Sequence, residues 1–146
     1  MARVAGIAAA KLTPQLVPLC HNILIESVHV NLTLLPPSST SDSEPGEGDG
    51  VALSDGFGGA YGGVYITATV TCSGKTGVEM EALVAATVAG LNVYDMCKGV
   101  DRGLVMERVR VVEKRGGRSG GWGVGPGGKL VNVGEGEGEG ESFSKK

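Results

Sequence analysis

Two segments with strictly alternating residues constrain the fold of this chain more than any other feature. Apolar and polar side chains alternate in residues 27–34 (SVHVNLTL) and again in residues 63–72 (GVYITATVTC). A repeat of two is the repeat of a β-strand, so each segment predicts a half-buried strand. Two such strands in succession form a natural antiparallel pair. The apolar faces would consist of Val28, Val30, Leu32 and Leu34 on the first strand and Val64, Ile66, Ala68, Val70 and Cys72 on the second.

The segment between these strands, residues 36–62, has the composition of an insert rather than of a folded element. It is rich in glycine, serine and proline and carries five acidic residues and no basic one. Such a segment buries little apolar surface, so we expect it to be disordered or nearly so. Closing a longer loop costs only about 0.6 kcal/mol per doubling of its length. The two strands can therefore pair across it.

Two further segments predict helices, and one more predicts a strand. RVAGIAAAKL, residues 3–12, is alanine-rich and favours a helix, which Pro14 and Pro18 should end. Residues 77–98 are apolar over much of a helical circumference and predict a buried helix of about six turns. LVMERVRVVEK, residues 104–114, has the β-branched content of a strand. The order of elements predicts an α+β fold with the helices on one face of an antiparallel sheet.

The charge is distributed unevenly between the predicted folded part of the chain and its two glycine-rich segments. The chain has 26 glycines and a formal net charge of −3, but the insert and the segment from residue 119 onward hold most of the glycine and much of the acid. The remainder has ten basic and seven acidic residues, a net charge of about +3, which favours an anionic ligand. We expect a folded domain over residues 1–120 and a flexible Gly/Glu-rich tail over residues 121–146.

Composition argues against several classes of protein. The three cysteines are far apart and form neither a disulfide framework nor a metal-binding pattern. No apolar run reaches the roughly 18 residues of a membrane helix, and the first residues do not resemble a signal peptide. Aromatic residues make up 4 % of the chain, too few for typical single-strand nucleic-acid binding. We therefore expect no metal, no membrane and no nucleic acid as partners.

The stretch SGKTGVEMEAL, residues 73–83, raises the question of a nucleotide-binding P-loop. That motif requires a glycine five positions before the Gly-Lys-Thr, and Thr69, inside a predicted strand, stands there instead. A tight turn between strand and helix explains the glycines, although Lys75 can still lie near an anion at a helix start. Glu79 and Glu81 fall in the first helical turn. Glu79 is equally well explained by helix-dipole stabilisation, whereas Glu81 lies among apolar residues.

Three other polar groups are candidates for a site. Asp95 and Lys98 are three residues apart and should share a helix face. They fit either a surface salt bridge or an acid–base couple, and on spacing alone the salt bridge is the simpler explanation. His21, which follows Cys20 on a loop, is either solvated or a donor to an anion, and no zinc-ligand pattern surrounds it. Basic residues collect in a glycine loop that suits a phosphate group; they are Lys114, Arg115 and Arg118.

Five stretches between Ala2 and Gly120 together resemble one family. They are ARVAGIAAAKLT, LVPLCH, TGVEMEAL, YDMCKGVD and VVEKRGGRSG, in family order. They resemble the cyclic pyranopterin monophosphate synthases, the MoaC family of molybdenum cofactor biosynthesis, and TGVEMEAL with YDMCK is the most specific part. The resemblance implies a lyase that converts (8S)-3′,8-cyclo-7,8-dihydroguanosine 5′-triphosphate to cyclic pyranopterin monophosphate and pyrophosphate, without a cofactor. It also implies a ferredoxin-like fold and a homohexamer, a trimer of dimers with active sites at subunit interfaces.

The same resemblance implies roles for individual residues. Asp95 resembles the family's catalytic aspartate and Lys98 its lysine partner. The substrate-binding positions are Leu19, Cys20, His21, Met80, Glu81, Lys11, Lys114 and Arg118. Arg118 replaces a usual lysine, which keeps the charge but changes the geometry. Glu81 and Asp95 are 14 residues apart, or about 21 Å along one helix. One substrate would therefore meet both only in a pocket shared by two copies of the chain.

This sequence departs from the family pattern at its start. The family normally has a further strand, a helix and a Lys-Gly-Asp motif before ARVAGI, and the lysine of that motif is thought catalytic. We therefore expect a chain truncated at its N-terminus relative to the family, without that first strand and helix. The alternative to an active enzyme is a catalytically incomplete paralogue or fragment that binds ligand or co-assembles with full-length subunits. We expect a location in the mitochondrial matrix for a eukaryotic protein and in the cytoplasm otherwise.

Overall fold

The computed structural model of the chain describes residues 1–37, 61–73, 76–117, 120–125 and 128–133. In these ranges it has three helices and five strands. The helices are α1 (Ala2–Ala10), α2 (Thr13–Leu16) and α3 (Glu79–Cys97), and the strands are β1 (Ile25–Leu35), β2 (Gly63–Cys72), β3 (Glu113–Lys114), β4 (Trp122–Val124) and β5 (Leu130–Asn132). The strands form two sheets, β1-β2 and β3-β4-β5, with antiparallel pairing throughout. The α+β class is confirmed, and the fold is compatible with the ferredoxin-like fold of the resemblance.

The long hairpin of β1 and β2 follows the alternating sequence. Val30 pairs with Ala68, and the ladder extends to the pair of Leu35 and Gly63. An irregularity near the start of β1, between Ile25 and Ser27, adds a residue to that strand. Both predicted strands and their antiparallel pairing are confirmed. The predicted disorder of the insert concerns mainly residues 38–60, which lie outside the described residues.

The core lies between the hairpin and two helices. Its buried members come from α1, β1 and α3, and they are Ala10, Val30, Ala85 and Ala89. Partly buried side chains packed against them complete the cluster: Ile7, Ile25, Val28, Leu32, Ile66 and Ala68. The strand members of this cluster include alternate positions of the two predicted apolar faces. Both helices therefore pack on the same face of the hairpin, as predicted.

Prolines shape the chain between α1 and β1. The alanine-rich helix ends at Ala10, before Pro14, as expected. Pro14 itself lies in the first turn of the short helix α2, where its missing N–H would be unsatisfied in any case. The hydroxyl of Thr13, which is buried, donates a hydrogen bond of 2.9 Å to the carbonyl of Ala10. This bond connects the two helices at their junction.

The strand predicted over residues 104–114 is wrong for most of its length. Only Glu113 and Lys114 form a strand, and residues 104–112 have no secondary structure. β-Branched composition favours a strand only where a neighbouring strand accepts its hydrogen bonds. Among the described residues that neighbour exists only at the end of the segment, where Glu113 pairs with Gly123.

The small sheet involves residues from the segment that the sequence predicts to be a tail. Its strands β4 and β5 pair through Gly123 and Val131, and β4 connects them to β3. The sheet thus joins residues on both sides of residue 120, the predicted boundary. The division of the chain there stays a prediction, since residues 134–146 lie outside the described ranges.

None of the helices in the described ranges is both long enough and apolar enough to span a bilayer. The longest, α3, has 19 residues and carries the charged residues Glu79, Glu81 and Asp95. These charged residues lie near the two ends of α3, and all three are among the candidate site residues.

Candidate functional site

An ion pair lies at the C-terminal end of α3. Lys98 Nζ lies 2.6 Å from Asp95 Oδ1, with side chains that are 54 % and 62 % exposed. The pair forms because residues three apart lie on the same helix face, and the backbone N–H of Lys98 still donates to the carbonyl of Tyr94 at 2.8 Å. The predicted proximity of the two side chains is therefore confirmed. Their exposure keeps the contribution of the pair to stability small.

The ion pair favours the protonated form of Lys98. The hydrogen bond with Asp95, and then its negative charge, raise the pKa of Lys98 above the ordinary value of 10.5. Lys98 is therefore a cation throughout the physiological range. In a reaction it can stabilise negative charge or donate a proton, whereas Asp95 is the group of the pair that can accept one.

The same two residues line an open surface depression of about 460 Å³. We call it the charged depression, and it is lined by Tyr94, Asp95, Met96, Lys98, Gly99 and Arg102. It holds two cationic side chains and one carboxylate. This balance favours a ligand with negative charge.

A second ion pair lies at the other end of α3. Lys114 Nζ of β3 is 2.5 Å from Glu79 Oε1, and both side chains are half-buried. The hydrogen bond from Lys114 lowers the pKa of Glu79 and outweighs the opposing effect of partial burial. The structure thus gives Glu79 a specific partner in addition to the helix dipole. Lys114, the predicted anion-binding residue, shares its positive charge with that carboxylate.

Glu81, in the same first turn of α3, is buried without full hydrogen bonding. The residue is 2 % exposed, and its Oε2 has no hydrogen-bond partner among the described residues. A buried polar atom without a partner costs about 1–3 kcal/mol. Its neighbour Met80 is exposed instead. A costly arrangement of this kind is typical of a residue kept for function rather than for stability.

The remaining predicted binding residues lie before β1. Leu19 is almost fully exposed and has a φ of 72°, a left-handed conformation that non-glycine residues rarely adopt. Cys20 is half-buried, and His21 and Lys11 are exposed. Backbone strain of this kind is concentrated at binding and catalytic sites. It marks Leu19 as a candidate independently of its residue type.

The candidate residues thus form separate groups in one chain. Glu79, Glu81 and Lys114 gather near the start of α3, and Asp95 and Lys98 lie at its end. A helix of 19 residues separates its ends by about 28 Å. Arg118 and Lys75 lie outside the described residues. Within the described ranges no three His, Cys, Asp or Glu side chains are placed to hold a metal ion.

Sequence reasoning missed two features of this site. The contact between Glu79 and Lys114 joins residues far apart in the chain, and no periodicity signals such a contact. Arg102 lines the charged depression, but it is not among the site residues predicted from the sequence. Its position four residues after Lys98, in the segment that follows the helix, was the available signal.

Replacing Glu79 with glutamine should lower the free energy of unfolding by about 1 kcal/mol, the scale of one hydrogen bond to a charged group after discount for partial exposure. Because the folded-state pKa of Glu79 lies below its ordinary value of 4.5, the stabilisation is present above that value and is lost as the pH falls through the folded-state pKa. Urea unfolding between pH 3 and pH 7 measures how the free energy of unfolding depends on pH. The free energy of unfolding should fall more steeply with decreasing pH in the wild type than in Glu79→Gln. Glu107→Gln, at an exposed position, is the control, and an equal loss in both variants would contradict the assignment.

Replacing Glu81 with glutamine should not cause the loss of stability expected for Glu79→Gln. The amide has nearly the same shape, and Oε2 of Glu81 makes no hydrogen bond with the described residues that the substitution could remove, so we expect the free energy of unfolding to stay nearly unchanged. The same denaturant titration at pH 7 measures it. A loss of stability as large as that of Glu79→Gln would mean that the carboxylate of Glu81 stabilises the fold.

Comparison with known proteins identifies the family. Residues 1–117 match the MoaC family. The cyclic pyranopterin monophosphate synthase of Desulforamulus reducens is 43 % identical over 120 residues, which is 82 % of this chain and 58 % of the relative. Those of Chloroflexus aurantiacus and Chloroflexus aggregans are each 43 % identical over 122 residues, 84 % of this chain and 61 % and 60 % of the relatives.

These matches confirm the resemblance seen in the sequence motifs. The chain spans about three fifths of the length of the curated relatives that it matches. The match covers both α1 and α3, the two charged ends of α3 and the strained segment before β1. The chain belongs to the MoaC family.

Proposed function

We propose that this chain is a cyclic pyranopterin monophosphate synthase, a lyase of molybdenum cofactor biosynthesis. It would convert (8S)-3′,8-cyclo-7,8-dihydroguanosine 5′-triphosphate to cyclic pyranopterin monophosphate and pyrophosphate. The observation that carries the proposal is the 2.6 Å contact between Asp95 and Lys98 in the charged depression. Membership of the family and the names of the relatives give the reaction that this contact would serve.

The chemistry of the reaction matches the charges of the depression. To form a cyclic monophosphate from a triphosphate, a hydroxyl of the substrate attacks the innermost phosphorus, and the bond to the departing pyrophosphate breaks. The hydroxyl loses a proton, which Asp95 can accept. The pyrophosphate leaves with additional negative charge, which the cationic Lys98 can stabilise.

The complete site is proposed to lie between subunits. Substrate binding is assigned to Leu19, Cys20, His21, Met80, Glu81, Lys11, Lys114 and Arg118, most of which do not gather around Asp95 within one chain. A homohexamer, a trimer of dimers, would bring the start of one α3 near the end of another. Several large apolar side chains are exposed in the single chain and support such assembly; they include Leu16, Leu24, Leu91, Met96 and Val105. The mitochondrial matrix in a eukaryote, or otherwise the cytoplasm, stays the predicted location.

The test is to incubate the purified chain with the cyclised triphosphate and to measure pyrophosphate release and the product by mass spectrometry. Light scattering of the same sample gives the oligomeric state. We expect product from a hexamer. A hexamer that binds the substrate but releases no pyrophosphate would contradict the enzymatic proposal and support the alternative of a catalytically incomplete paralogue.

A further inference from the structure

We propose that Arg102 binds the polyphosphate part of the ligand in the charged depression. This inference deepens the proposed function and rests on it. Arg102 lies beyond the C-terminal end of α3 and lines the same depression as Asp95 and Lys98. It adds a binding residue to those that the family motifs imply.

The charge of Arg102 is available to a ligand. Lys98 is already paired with Asp95 at 2.6 Å, whereas the guanidinium of Arg102 makes no ion pair with any residue that the structure describes. An arginine keeps its charge at every physiological pH, and its planar group of donors matches two phosphate oxygens at once. Arg102 is therefore the cation of the depression that a phosphate group can engage without breaking an existing pair.

Hydrogen bonds hold the backbone around Arg102 in place. The hydroxyl of Tyr94, another lining residue, donates to the carbonyl of Arg102 at 3.4 Å. On its other side the backbone N–H of Gly103 donates to Asp101 Oδ1 at 2.7 Å. The first bond ties this turn to the last turns of α3. The base of the Arg102 side chain is thereby positioned beside the depression.

The end of a helix carries partial negative charge, which opposes the binding of an anion. Here the carbonyl of Tyr94 accepts from the N–H of Lys98 at 2.8 Å, and that of Cys97 accepts from Val100 at 2.9 Å and from Asp101 at 3.1 Å. These bonds satisfy the carbonyls of Tyr94 and Cys97. The two cationic side chains of the depression outnumber its one carboxylate, so a diphosphate or triphosphate group is favoured over a neutral ligand.

The test uses inorganic pyrophosphate as the probe for the intact chain, with calorimetry at low salt. Arg102→Gln should raise the Kd for pyrophosphate about tenfold, the scale of losing a charge-assisted hydrogen bond at an exposed site. Arg102→Lys keeps the charge without the planar fork and should give an intermediate Kd. Arg3→Gln removes one exposed arginine of α1 outside the depression and should bind like the wild type. Orthophosphate should bind more weakly than pyrophosphate, and equal thermal unfolding of all variants verifies their fold.

The outcomes separate this inference from the proposed function. No binding of pyrophosphate to the wild type, or equal Kd values for Arg102→Gln and Arg3→Gln, would overturn the role of Arg102. The assay with the cyclised triphosphate reports on the function itself, and there Arg102→Gln should raise KM more than it lowers kcat. If Arg102 governs pyrophosphate binding but no product forms, the proposed function fails and the phosphate-binding role stands.

Discussion

Replacing Asp95 with asparagine should lower the rate of pyrophosphate release from the cyclised triphosphate by about 10²- to 10⁴-fold, the usual contribution of a positioned proton acceptor. Asparagine has nearly the shape of aspartate but cannot accept the proton of the attacking hydroxyl. Because the side chain of Asp95 is 62 % exposed, the substitution should leave the free energy of unfolding nearly unchanged. Single-turnover kinetics and urea unfolding of the same preparation measure both quantities.

The pH dependence gives a second readout of the same substitution. Asp95 raises the pKa of Lys98 through a hydrogen bond and through its charge. In Asp95→Asn that pKa should fall towards its ordinary value, so Lys98 should lose its proton at a lower pH than in the wild type. An NMR titration of Lys98 detects this shift. Glu26→Gln, which removes an exposed carboxylate outside the charged depression, should change neither the rate nor the titration. A rate for Asp95→Asn equal to that of the wild type would remove Asp95 from the mechanism.

Replacing Gly6 with alanine should lower the free energy of unfolding by about 1–2 kcal/mol. A Cβ at this position of α1 would lie 2.7 Å from the carbonyl oxygen of Ala85 and 3.2 Å from Cβ of Ala89 in α3. A backbone oxygen cannot move away as the end of a side chain can, and overpacking of this kind costs about 2–3 kcal/mol. The better helix propensity of alanine recovers about 1 kcal/mol of that cost. Urea unfolding monitored by circular dichroism measures the difference.

Gly90 provides the matched control in the other helix. A Cβ there would meet mainly Cε of Met106, at 2.8 Å, which is the end of a flexible side chain. Gly90→Ala should therefore be nearly neutral or slightly stabilising, since the gain in helix propensity is kept. Equal losses in Gly6→Ala and Gly90→Ala would show that the close approach of α1 and α3 is not what limits residue size at Gly6.

The part of the site that could be predicted from the sequence is the part that depends on local geometry. Asp95 and Lys98 are three residues apart, so the helix alone brings their side chains together. The contact between Glu79 and Lys114 could not be predicted, because it depends on where β3 packs against the start of α3. The strand predicted over residues 104–114 is wrong over residues 104–112 for a related reason. Its residue types favour an extended chain, but they do not determine where a partner strand lies.

The sequence by itself determined the α+β class, the two alternating strands, the long helix and the family, because periodicity and motifs are properties of neighbouring residues. The tertiary structure decided which polar groups are buried and which are paired. It left Glu81 with a buried oxygen that lacks a partner among the described residues, gave Glu79 a partner in Lys114, and placed Arg102 beside the Asp95–Lys98 pair. Burial and long-range pairing depend on how separate surfaces pack, and no local pattern in the chain encodes that packing.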